Sequence, residues 1–103
     1  MNKPVIEIKG QRYEIKHVKA CDWREFFKFD SEKKGILTYE YLDKHCEIIA
    51  GFFDGVSVDD LIENLEIADV LKIYDDILMY LMFLLTSKLG KNEKNAETGE
   101  SLQ

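Results

Sequence analysis

A chain of 103 residues suffices for one domain with a thin core, since domains of about 60 to 150 residues bury roughly 60 to 70% of their unfolded surface. Its formal charge of -6 argues against a nucleic-acid backbone as the main partner, because phosphate binding needs a basic stripe. Cys21 and Cys46 form no CxxC pair, and without a signal-peptide pattern they are expected to be reduced thiols in a cytosolic protein.

Residues 5–18 read as a β-hairpin. Ile6 and Ile8 alternate with charged residues, as do Tyr13 and Ile15, and Gly10-Gln11 suits a two-residue turn with glycine first. Counting outward from that turn pairs Ile8 with Tyr13 and Ile6 with Ile15 on one face. It also sets Glu7 against Glu14, a like-charge pair offset by Lys9, Arg12 and Lys16 on the diagonals. A lone hairpin is marginal in water, so this one is expected to lie on helices.

Asp22 is placed to cap a short helix carrying Trp23, Phe26 and Phe27 at i, i+3, i+4 spacing. Residues 30–35 form a polar, lysine-rich break. Thr38 then caps a helix with Leu42, His45, Cys46, Ile49, Phe52 and Phe53 on one face, ended by Asp54-Gly55. Ser57 caps a short helix through Leu61, Ile62 and Leu65, with Asp59 and Asp60 in its first turn, where the helix dipole favours anions.

The last helix is expected over residues 67–89, stopping near Gly90. It begins with a polar wedge of Asp69, Lys72, Asp75 and Asp76. At roughly 100° per residue, Met79 and Phe83 fall in that same wedge and Met82 at its edge. The run Ile77-Leu78-Met79-Tyr80-Leu81-Met82-Phe83-Leu84-Leu85 is therefore apolar all round, yet far short of the ~20 residues that cross a bilayer. Methionine suits adaptable binding surfaces. Met79, Met82 and Phe83, with Tyr80, Phe52 and Phe53, are the candidate protein-binding residues. Capture of another protein's amphipathic helix or self-association would use this surface. The competing reading is that the hairpin and shorter helices wrap the run completely.

The expected fold is α+β, mainly α. An N-terminal hairpin packs on a small bundle of about four helices over residues 1–90, followed by a polar tail over residues 91–103 that is expected to be disordered.

Chemistry-bearing groups are sparse. Neighbours on a helix point about 100° apart, so His45-Cys46 cannot share the hydrogen bond a nucleophile and base require. Two cysteines and two histidines, scattered singly, do not make a zinc site, and no phosphate-binding glycine loop is present. Residues 29–42 resemble an EF-hand loop, with Asp30, Glu32, Gly35 and Thr38 at positions 1, 3, 6 and 9. However, Lys34 occupies position 5, and Tyr41 replaces the bidentate glutamate at position 12, which should abolish useful calcium affinity. Asp59-Asp60 and Asp75-Asp76 read as helix-terminal and solvated charge. The expectation is a non-enzyme without cofactor or metal.

A broader resemblance rests on four features. They are the hairpin over residues 6–15 and Lys19-Ala20-Cys21-Asp22-Trp23-Arg24-Glu25 opening the first helix. The others are the Phe52-Phe53-Asp54-Gly55-Val56-Ser57-Val58-Asp59-Asp60-Leu61 turn into a short helix, and an apolar C-terminal helix with a polar tail. In this layout, over residues 4 to about 90, the chain resembles the tail assembly chaperones of long-tailed bacteriophages, in particular those infecting Gram-positive hosts. The resemblance implies a non-enzymatic protein of the host bacterial cytoplasm, absent from the mature virion. It would coat the tape measure protein, keep it soluble, and help recruit tail tube protein. Such families often make a longer form by ribosomal frameshifting, and Lys91-Asn92 and Lys94-Asn95 are compatible with adenine-rich slippery codons, which the protein sequence does not fix. A homodimeric helical adaptor, or a degenerate EF-hand-like regulator, is the alternative.

Overall fold

The computed structural model describes residues 2–32 and 39–96, of which residues 88–96 are described as helical backbone only. Among the described residues the fold is α+β and mainly α, a hairpin followed by four helices. Strand β1 (Val5–Ile8) pairs antiparallel with β2 (Gln11–Glu14), in the register Val5–Glu14, Ile6–Tyr13, Glu7–Arg12, Ile8–Gln11. The turn is Lys9-Gly10, both with positive φ (52° and 76°), as a type I′ turn requires. This differs by two residues from the register expected around Gly10-Gln11. A two-residue shift keeps every side chain on its face, so Ile6, Ile8 and Ile15 are buried all the same.

Long-range contacts favour the observed register. It sets Arg12 opposite Glu7 and removes the Glu7–Glu14 repulsion. The Ile15 N–H donates to the Pro4 carbonyl (3.2 Å), and the Lys16 N–H to the Phe52 carbonyl (2.9 Å). The hairpin's exit is thereby tied to the chain that follows the second helix.

Helix α1 (Ala20–Glu32) carries Asp22 inside its first turn rather than at the cap. The carboxylate reaches back to accept from the Lys19 N–H at 3.0 Å, satisfying a donor that the helix leaves free. The helix continues through Asp30, where a break was expected. Helix α2 (Tyr39–Ala50) follows; its expected cap, Thr38, lies outside the described residues. It ends before Asp54-Gly55, in a tight turn where the Phe52 N–H donates to Ile49 (2.9 Å) and the Phe53 N–H to Ala50 (3.3 Å).

Ser57 and Asp60 cap α3 (Val58–Asn64) reciprocally: the Asp60 N–H donates to Ser57 Oγ (3.1 Å) and the Ser57 N–H to Asp60 Oδ2 (3.0 Å). Helix α4 (Ile67–Ala96) runs on past the expected stop at Gly90. One glycine costs a helix only about 1 kcal/mol relative to alanine, too little to end it by itself.

Helix α2 packs on α3 and α4, and β1 on α3. The core centres on Tyr74 of α4, whose ring stacks on Phe26 of α1 (4.8 Å) and meets His45 of α2 (4.6 Å). Its hydroxyl donates to Asp30 Oδ1 at 2.8 Å. Burial first, and that bond second, push the phenol well above its usual range.

Tyr74→Phe keeps the stack and deletes one hydrogen bond. Urea unfolding should show a loss of about 1.5 kcal/mol, the low end for a bond to a charged group because Asp30 is only half-buried. Asp60 is held below its ordinary carboxylate value by the Ser57 backbone N–H first and the Ser57 side chain second. Its stabilisation is thus present above the usual carboxylate range and lost as pH falls through the lowered value. Asp60→Asn should flatten that acid limb in melts recorded against pH.

Candidate functional site

The first half of α4 is one-sided. Val70, Ile73, Tyr74 and Ile77 are buried, while Lys72 and Asp76 pair at 2.9 Å on the outer face. Burial ends with Leu81. On the side turned away from Ile77 and Leu81, Met79, Met82 and Phe83 are exposed at 55%, 41% and 38%. Tyr80 is half-buried, and its ring lies 6.5 Å from that of Phe83 at 27°, joining this face to the next. The described elements of the domain leave this face of the apolar run exposed.

Phe52 and Phe53, grouped with these residues on sequence grounds, belong elsewhere. Both are buried in the turn after α2, and Phe52 meets Phe26 edge-on at 6.0 Å. Their helical spacing with Ile49 marks core, so neither presents a surface to a partner.

A second apolar surface went unread in the sequence. Between the start of α1 and the end of the apolar run of α4 lies a groove of about 540 Å³. Val18, Trp23, Tyr80 and Leu84 line its apolar side, and Lys3, Lys16 and Lys19 stand around it. Trp23 is held by Phe27, their rings 4.3 Å apart. Some sixty residues separate Trp23 from Leu84 in sequence, so no periodicity joins them. The available clue was a basic stretch, Lys16-His17-Val18-Lys19, in an acidic chain.

The reactive side chains are accounted for structurally. His45 is buried, with Nδ1 3.0 Å from the Tyr41 carbonyl, one turn back. Cys46 is fully buried, and burial first, then the charge of Asp43, push its thiol up, away from the thiolate a nucleophile needs. Cys21 is exposed. Asp30, position 1 of the EF-hand-like stretch, lies within α1 and accepts from Tyr74, while Tyr41 lies in α2. The loop between them, residues 33–38, lies outside the described residues. Among the described residues no group of three or more His, Cys, Asp or Glu is placed to hold a metal ion, and no helix is long and apolar enough to cross a membrane.

No protein-family model, curated protein or solved structure matches the chain.

The buried and the exposed candidate residues should separate in urea unfolding. Phe53→Ala, from the core, should cost about 3–5 kcal/mol. Met79→Lys and Phe83→Glu, on the exposed face, should each stay within about 0.5 kcal/mol of the parent in the same urea titration.

Proposed function

We propose that this chain is a non-enzymatic binding protein that shields an apolar stretch of a longer partner. It acts as a tail assembly chaperone that keeps a tape measure protein soluble while tail tube subunits gather around it, in the cytoplasm of the infected bacterium. The observation that carries the reading is the clustered exposure of Met79, Met82 and Phe83 on a helix whose preceding turns set Val70, Ile73, Tyr74 and Ile77 into the domain's own core. Adaptable methionine side chains beside an aromatic ring suit the apolar face of a partner helix. The acidic exterior supports it further, since a net charge of -6 favours solubility in a small domain that carries an exposed apolar face. The assignment to phage tails rests on the resemblance in layout described above.

A second copy of the chain is the other natural occupant, because a single exposed apolar helix face can pair with itself about a two-fold axis. A degenerate EF-hand role has less support, since the half-buried Asp30 carboxylate accepts a hydrogen bond from Tyr74.

Co-expression with the tape measure and tail tube proteins of the same gene cluster tests the reading. The chain should hold the tape measure protein in the soluble fraction and co-elute with it. A triple variant, Met79→Lys, Met82→Lys and Phe83→Glu, should bind roughly 100-fold more weakly if each side chain contributes about 1 kcal/mol. A tape measure protein equally soluble without the chain, or a folded triple variant as effective as the parent, would sink the proposal.

A further inference from the structure

We propose that the groove between α1 and α4 docks an acidic amphipathic helix of a partner protein. The proposal rests on the reading of α4 as a protein-binding element. It adds a second docking surface, on the Tyr80 and Leu84 side of that helix, and the charge of the helix that it takes.

The groove continues the core beyond the point where the domain runs out. Leu81 is fully buried, Leu84 half-buried and Leu85 exposed, so the core-facing side of α4 loses its cover one turn after Leu81. Tyr80 and Leu84, at i and i+4, form a ridge along one wall, and Val18 and Trp23 supply the other. An open trough with a ridge along a helix suits a second helix laid alongside. Its anchors would be apolar residues repeating at i, i+4 and i+7.

Charge selects which helix. The chain carries 20 acidic and 14 basic residues, yet the charged side chains of this groove are Lys3, Lys16 and Lys19, with His17 beside them. The nearby carboxylate of Asp22 is already engaged, by Lys16 Nζ at 3.6 Å and by the Lys19 N–H at 3.0 Å. The ammonium groups of Lys3 and Lys19 have no ion pair among the described residues. A partner helix with Asp or Glu flanking its apolar stripe meets complementary charge there and repulsion elsewhere on the acidic surface, which fixes its place. A nucleic-acid strand is disfavoured by the same net charge, which repels phosphates away from this one rim.

Trp23 is the only tryptophan in the sequence and lines the groove, so its emission reports occupancy directly. The full chain is titrated with two synthetic peptides of about 18 residues, long enough to take up helix. They share one leucine stripe, and one carries Glu where the other carries Lys. The acidic peptide should shift the Trp23 emission to the blue and saturate, with the basic one roughly tenfold weaker or worse. Added salt should weaken the acidic peptide. Reversing the exposed lysines by Lys3→Glu with Lys19→Glu should invert the preference without changing the melting curve.

Equal binding of both peptides, binding of the acidic one that leaves Trp23 emission unmoved, no binding at all, or an unchanged preference in the reversed variant would each overturn the proposal. A chain that still solubilises the tape measure protein but ignores the acidic peptide loses the groove and keeps the function proposed above. Binding of the acidic peptide without tape measure solubilisation leaves the groove and removes that function.

Discussion

Tyr74 is the contact on which the architecture depends. Its ring stacks on Phe26 and packs against His45, and its hydroxyl reaches Asp30, so one side chain joins α1, α2 and α4. A buried tyrosine that satisfies its hydroxyl contributes apolar area and a directional bond together. The ring contacts and the bond agree with the rotation that the buried face of α4 requires. With Tyr74 turned inward, Val70, Ile77 and Leu81 follow it into the core. Met79, Met82 and Phe83 are then carried to the outer side by helix geometry alone.

The exposed apolar surface is thus a consequence of length. Helix α4 spans thirty residues, while among its described side chains the last fully buried one is Leu81. Among the described residues, cover for the turn that follows comes at the groove, where the start of α1 brings Val18 and Trp23 alongside. The two apolar surfaces meet through the Tyr80–Phe83 ring pair, so a partner on one side touches the edge of the other.

The polar groups agree with that division. Those that looked most like chemistry are spent on structure: His45 against the Tyr41 carbonyl, Cys46 sealed in the core, Asp60 in a capping box, Asp30 on Tyr74. Lys3 and Lys19, beside the groove, remain without ion pairs among the described residues. Unspent charge beside unspent apolar surface is what separates a recognition site from solvated decoration.

What the sequence determined by itself was local. The alternation of Ile6 and Ile8, the spacing of Trp23, Phe26 and Phe27, the Ser57–Asp60 cap and the apolar run of the last helix each depend on residues within a few positions of one another. Such short-range patterns specify strand, helix and cap directly. The tertiary structure decided what depends on distant partners. The hairpin turns at Lys9-Gly10 because Pro4, Phe52 and the Glu7–Arg12 pairing favour that register over the one its turn residues suggested. Phe52 and Phe53 lie in the core rather than on a binding face because the chain folds back under α2, and a helical stripe looks the same whether another chain or its own covers it. Tyr74 as the central contact, and the groove joining Trp23 to Leu84, arise where residues far apart in the chain meet, and no periodicity along the chain encodes such a meeting.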